Sequence, residues 1–206
     1  MLEAENIECM RGDRVLFQGV SFALERGALL RIAGANGSGK TSLLRIVCGL
    51  AVPTQGVLRW QGENIRTLRE EYWKHLVYIA HSSAVKDDLT ARENLEIGGT
   101  LAGLRVSAAA ATEALEQFGV AHCAFLPARS LSQGQRRRVA LARLALSAET
   151  PLWVLDEPFT ALDAAAVLFL QTLIATHLVR GGIVILTTHQ EVSIVASVSL
   201  RIDLGK

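Results

Sequence analysis

Long apolar runs, paired cysteines and an excess of charge of either sign are all missing from this 206-residue chain. The longest uncharged stretch, Ala164 to Val179, is broken by Gln171, Thr172, Thr176 and His177. It is too short and too polar to span a membrane. Cys9, Cys48 and Cys123 lie far apart with no CxxC pair, which reads as small core residues in a reduced compartment rather than as a metal site. Lys and Arg total 21 against 20 for Asp and Glu, so no basic surplus points to a nucleic-acid partner. The start, Met1 to Cys9, carries Glu3, Glu5 and Glu8 and has neither the basic nor the apolar region of a secretory signal.

What is present is apolar and well patterned. Half of the residues are hydrophobic and mean hydropathy is +0.29, so the expectation is a large buried core, with any surplus apolar surface turned toward a membrane-bound partner. Alternation at Val20, Phe22 and Leu24 predicts a strand with one wet face. Ala28 to Ala33 predicts a second strand that runs into a glycine-rich turn, and Lys40 to Cys48 follows at helical spacing. The short runs Leu76–Ala80, Leu152–Leu155 and Ile183–Leu186 suit central strands of a parallel sheet covered on both faces. Between them a helix-rich stretch, roughly 84–134, carries cap signals at Thr90-x-x-Glu93 and Ser107. The expected fold is α/β: a mostly parallel sheet with an N-terminal antiparallel β part and an inserted helical subdomain, all in one unit over 1–206.

Gly34-Ala35-Asn36-Gly37-Ser38-Gly39-Lys40-Thr41 matches GxxxxGK[ST] in full. Glycines let backbone N–H groups turn inward toward anionic oxygens, and the helix that follows presents its positive end to them. Lys40 is placed for the terminal phosphates of a nucleoside triphosphate and the Thr41 hydroxyl for Mg²⁺. Because the motif sits between a predicted strand and a predicted helix, a ligand-free glycine turn is the weaker reading. Asp156-Glu157 ends the apolar run Leu152 to Leu155, at the strand edge where open α/β sheets bind ligands. Asp156 is expected to hold Mg²⁺, directly or through water, and Glu157 to polarise the attacking water. The plain alternative is a pair of carboxylates capping the next helix.

Leu131-Ser132-Gln133-Gly134-Gln135 resembles the LSGGQ signature of ABC-transporter ATPases, with Gln133 in place of the first glycine. Asp163 in Ala161-Leu162-Asp163 is similar to that family's D-loop, and His189 in Thr187-Thr188-His189 to its switch histidine. The motifs stand in the family's order over essentially the whole chain. The resemblance implies a P-loop NTPase core of ABC type that binds ATP and Mg²⁺, with Lys40, Glu157 and His189 catalytic. It implies a second copy as partner, because residues 131–135 would act on the nucleotide held by the other subunit, with Asp163 at the dimer seam. Arg136 to Arg138 are expected to form a solvated basic face on the signature helix, and Ser132 and Gln135 to cap it.

Two positions depart from the family pattern. His81 occupies the slot after Val77-Tyr78-Ile79-Ala80 where a magnesium-binding glutamine is usual; a neutral imidazole is a poorer partner for a hard cation. Arg11 lies where relatives stack an aromatic on adenine, with Phe17 as the other candidate. His81, Trp60-Gln61-Gly62, Leu89 to Leu95 and Gly181 to Gln190 are similar to the ATP-binding subunits of bacterial cytochrome c biogenesis systems. That likeness implies a peripheral protein on the cytoplasmic face of the inner membrane, docked on an integral membrane permease, with no direct haem binding by this chain. Its cargo stays open between haem export and ATP-driven release of a haem-loaded chaperone. The alternatives are a transporter ATPase for another substrate, or a soluble ABC ATPase. Ribosome-acting relatives carry two such domains and DNA-acting ones a long coiled coil between the motifs, whereas Asp156 stands only 116 positions after Lys40 (156 − 40).

Overall fold

The structure is a computed structural model that describes residues 1–189 and 192–205. In chain order the strands are β1 (Leu2–Arg11), β2 (Arg14–Leu24), β3 (Ala28–Gly34), β4 (Gln55–Trp60), β5 (Glu63–Asn64), β6 (Leu76–Ile79), β7 (Leu152–Asp156), β8 (Ile183–Thr187) and β9 (Val198–Leu204). The helices are α1 (Lys40–Val47), the short α2 (Ile65–Leu68) and α3 (Glu70–Trp73), then α4 (Ala91–Leu101), α5 (Ala108–Gln117), α6 (Gln133–Leu146) and α7 (Ala164–Val179). Two sheets form. One is antiparallel, in the order β2-β1-β4-β5. The other is wholly parallel, in the order β6-β7-β8-β3-β9.

Every residue of β7 and β8 is buried, as continuous apolar runs in a doubly covered sheet require. One hydrophobic cluster joins one face of the parallel sheet (Leu29, Val77, Trp153, Val184) to α4, α5, α6 and α7. The other joins the opposite face (Leu30, Ile32, Val154, Ile185) to α1 and the antiparallel sheet. The helical stretch thus shares a core with the sheet, and each fully buried leucine or isoleucine there contributes about 1.5–3 kcal/mol. Among the described residues no helix is long and apolar enough to cross a membrane.

Local signals act where expected. Thr90 and Glu93 form a capping box on α4, Ser107 caps α5, and Ser132 with Gln135 forms a second box on α6. The alternation in β2 leaves Ser21 and Ala23 exposed while Val20, Phe22 and Leu24 turn inward.

The parallel register positions the site. Asp156 pairs with Thr187 across β7–β8, Ile32 with Thr187 across β3–β8, and Ile79 with Leu155 across β6–β7. The carboxyl ends of β3, β6, β7 and β8 therefore open on one edge, and β8 lies between β3 and β7. That is the crevice geometry at which open α/β sheets bind ligands.

Candidate functional site

At this edge β3 ends in Gly34 and the chain loops to the start of α1. Two glycines there are dictated by space. A Cβ on Gly34 would lie 2.6 Å from both Leu204 O and Ser38 Oγ, and one on Gly39 would lie 2.8 Å from Phe17 Cδ1. Gly39 also has φ 99° and caps α1 without any side-chain acceptor. The first-turn N–H groups of α1 therefore keep no intrahelical partner, and the helix presents a bare positive end. Lys40 is buried and folds back over the loop, its Nζ donating to Gly34 O at 2.8 Å and Ala35 O at 3.1 Å. These are neutral acceptors that an anion would displace.

Behind the loop stands a chain of hydrogen bonds. Thr41 Oγ1 donates to Asp156 Oδ2 at 2.8 Å, Thr187 Oγ1 donates to Asp156 Oδ1 at 2.7 Å, and the Glu157 N–H donates to Thr187 Oγ1 at 2.9 Å. Asp156 is 2 % exposed and Thr187 fully buried. Glu157 is held at φ 48°, a conformation that costs a non-glycine residue about 1–3 kcal/mol and is typical of functional sites. Its carboxylate faces His189, with His189 N at 3.3 Å from Oε2 and Nε2 at 3.3 Å from Oε1.

The cleft in front holds about 560 Å³ and is lined by Arg11, Asn36, Lys40, Thr41, Glu157 and His189, with His81 and Asp156 beside them. Of the residues expected from sequence, Asn36, Gly37, Gly39, Lys40 and Thr41 of the loop, the carboxylate pair, His189 and His81 converge on this cavity, whereas Gly34, Ala35 and Ser38 line a separate pocket on the other side of the loop. The cleft's size is that of an ordinary small-molecule site. Leu16, Ser42 and Thr160 also line it and were not expected from sequence. Phe17 does not stand in it. That side chain is 7 % exposed and packs beneath Gly39 in the core, so of the two stacking candidates only Arg11 reaches the cleft.

None of Leu131, Ser132, Gln133, Gly134 or Gln135 lines this cleft. Leu131 is buried, while Ser132 and Gln133 are exposed on the surface. Gly134 packs near Ala161, where a Cβ would meet the carbonyl oxygen at 3.1 Å. Asp163 caps α7 through the Ala166 N–H at 2.9 Å and pairs with Arg138; the Ala166 N–H first, and then the Arg138 guanidinium, hold its carboxyl below the usual range. Its placement beside the signature helix thus has a local structural explanation as well.

The expected solvated basic face on α6 is corrected here. Arg136 pairs with Asp87 and Arg138 with Asp163. Arg137 is 4 % exposed and donates to the carbonyls of Ala80, His81, Asp156 and Glu157. The sequence did carry a signal for it, because residues 137, 140, 141 and 144 form one helical stripe, and all four are buried.

The donor set suits the expected ligands. Thr41 and Asp156 offer a hydroxyl and a carboxylate oxygen, which is hard-cation chemistry. Ser38 Oγ is buried with no hydrogen-bond partner among the described residues; such a group is costly unless something else satisfies it.

Comparison with known proteins agrees with this geometry. The ABC transporter family profile matches residues 17–160. The chain is 51 % identical to the cytochrome c biogenesis ATP-binding export protein of Nitrosospira multiformis over 98 % of each chain. It is 54 % identical to that of Aromatoleum aromaticum, over 93 % of this chain and 89 % of the relative. A dimeric ATP-binding cassette solved in a post-hydrolysis state with ADP and Pi superposes with a TM-score of 0.80 at 25 % identity, over 92 % of this chain and 88 % of that one. The chain therefore belongs to the ATP-binding subunits of ABC transporters, in the branch of the cytochrome c biogenesis ATP-binding export proteins.

Proposed function

We propose that this chain is the ATP-hydrolysing, energy-coupling subunit of an ABC-type complex in c-type cytochrome biogenesis. It works as one unit over 1–206, with 84–134 as its helical insert. Its partners are a second copy of itself and an integral membrane permease, on the cytoplasmic face of a bacterial inner membrane. The observation that carries the biological assignment is identity of about half the residues, over nearly full length, with cytochrome c biogenesis ATP-binding export proteins. The complex either exports haem or drives release of a haem-loaded chaperone, and this chain supplies energy without touching haem.

In this reading the loop 34–41 wraps the phosphates, and Arg11 stacks its guanidinium plane on the base. Lys40 exchanges the carbonyls of Gly34 and Ala35 for phosphate oxygens. Thr41 and Asp156 hold Mg²⁺, with His81 at the remaining side of the cleft. The cation supplies neutralisation of charge on the transferring phosphoryl group. Glu157, fixed through its own N–H and through His189, accepts hydrogen-bond donation from the attacking water and turns it toward the γ-phosphate. His189 keeps that carboxylate and the γ-phosphate in register. Since the signature residues lie outside the chain's own cleft, Ser132 and Gly134 at the start of α6 complete the site of the second copy. ATP then bridges two chains, and its hydrolysis releases them.

The test is genetic and biochemical. A Lys40→Ala strain should lose haem-stained c-type cytochromes, and the wild-type chain should co-purify from detergent-solubilised membranes with a hydrophobic subunit. Normal cytochromes in that strain, together with a chain that fractionates without any membrane subunit, would refute the assignment.

A further inference from the structure

Ile79 and Leu155 are the last residues that pair β6 with β7, and beyond them run the turn after β6 and the end of β7 at Asp156, followed by Glu157. Past that point the β6–β7 ladder no longer supplies donors to the buried carbonyl of Asp156 and the partly buried ones of Ala80, His81 and Glu157. One guanidinium fills the gap. Arg137 Nη1 donates to Ala80 O at 2.8 Å and to His81 O at 3.5 Å, while Nη2 donates to Asp156 O at 2.9 Å and Glu157 O at 2.8 Å. Each terminal nitrogen thus serves one of the two segments, as a rigid planar fork allows and a lysine ammonium does not.

Burying this cation costs desolvation, and the nearby Asp156 and Glu157 carboxylates offset only part of that cost. Its Nε is buried without a partner among the described residues. A well-packed apolar side chain would fill the space without burying a charge, so what the guanidinium adds is geometry. The geometry concerns both halves of the proposed machine. Arg137 lies in the second turn of α6, the helix opened by the Ser132–Gln135 capping box. The carbonyls it holds belong to the residues carrying His81, Asp156 and Glu157. It makes no hydrogen bond to the phosphate loop, whose contacts run through Lys40 and Thr41.

We propose that Arg137 is a positioning residue: it fixes the main-chain course of His81, Asp156 and Glu157 relative to the signature helix. The catalytic edge of one nucleotide site is thereby tied to the element that completes the other. This rests on the ATPase reading above and deepens it, because it names the side chain through which a shift of α6 reaches the carboxylates.

The experiment compares wild type, Arg137→Ala and Arg137→Lys as full-length chains with their membrane partner. It reads kcat for ATP hydrolysis, the Kd of the isolated chain for ATP, and the effect of millimolar guanidinium. The expected result is a kcat about 100-fold lower in Arg137→Ala, the scale of misplacing a reacting group by about 1 Å, with Kd unchanged. Free guanidinium should restore part of that kcat in the alanine variant and none in wild type. The lysine variant should also lose kcat and keep Kd; it carries the test if the alanine variant does not fold. A folded variant with wild-type kcat would overturn the proposal. So would loss of kcat and ATP affinity together with no response to guanidinium, which marks a merely structural role. A wild-type complex that binds ATP and does not hydrolyse it would instead overturn the ATPase reading, and the Arg137 role with it.

Discussion

Replacing Thr187 by valine removes one hydroxyl and nearly preserves the side chain's shape. That hydroxyl is fully buried, donates to Asp156 Oδ1 at 2.7 Å and accepts from the Glu157 N–H at 2.9 Å. Losing a hydrogen bond to a buried carboxylate costs about 1.5–3 kcal/mol, and stranding the Glu157 N–H about 1–3 kcal/mol. The added methyl group returns up to about 1 kcal/mol of apolar burial. Thr41 still donates to the other oxygen of Asp156, so the carboxylate is not fully orphaned. The net expectation is a loss of about 3 kcal/mol, or roughly 6–12 °C in Tm for a chain of this size. The assay is urea unfolding followed by circular dichroism, with Thr187→Ser as the control that keeps both hydrogen bonds. The reasoning fails if the valine variant lies within about 1 kcal/mol of the serine variant, for then the hydroxyl does not hold the carboxylate pair.

Three further outcomes are expected. Gly39→Ala brings a Cβ to 2.8 Å from Phe17 Cδ1 and 3.1 Å from Leu16 Cβ at φ 99°; ATP affinity should fall about tenfold or more, equivalent to 1.4 kcal/mol, in a fluorescent-nucleotide titration. His81→Gln exchanges an imidazole nitrogen for a carbonyl oxygen beside Thr41 and Asp156, so half-maximal ATPase activity should be reached at lower Mg²⁺; an unchanged Mg²⁺ titration would remove His81 from the ligand set. His177 is 4 % exposed and stacked on Trp153 with centroids 3.8 Å apart, and burial outweighs its backbone hydrogen bonds to lower its pKa to about 4. Between the unfolded value near 6.5 and that folded value the unfolded state binds the extra proton, so stability should fall by up to about 3 kcal/mol as pH drops from about 6.5 to 4; His177→Phe should remove that part of the pH dependence in denaturant titrations.

What the sequence makes legible is whatever one segment determines alone. The phosphate loop is specified by glycine spacing and a lysine, the capping boxes by residues three apart, and the buried strands by continuous apolar runs. Features that need two segments were missed. Thr187 matters because the β7–β8 register sets it opposite Asp156, and no local pattern encodes that pairing. Arg137 was read as solvated because it stands between Arg136 and Arg138, although its place on the apolar stripe of α6 argued for burial. Phe17 was a plausible stacking residue until the irregular pairing of β1 with β2 around Cys9 and Met10 placed it opposite Cys9, facing the core. A one-residue register shift exchanges the faces of a strand. The signature residues do not line their own chain's cleft, and Ser132 and Gln133 are exposed on the surface.

The central claim is that one chain carries half of each ATP site, and Glu157→Gln tests it most directly. Amide substitution keeps the shape of the side chain and removes its capacity to activate water, so bound ATP should persist. With saturating ATP and Mg²⁺, sedimentation velocity should show the variant as a dimer that reverts to monomer when ADP replaces ATP. A variant that binds ATP in the cleft and yet sediments as a monomer would contradict the account.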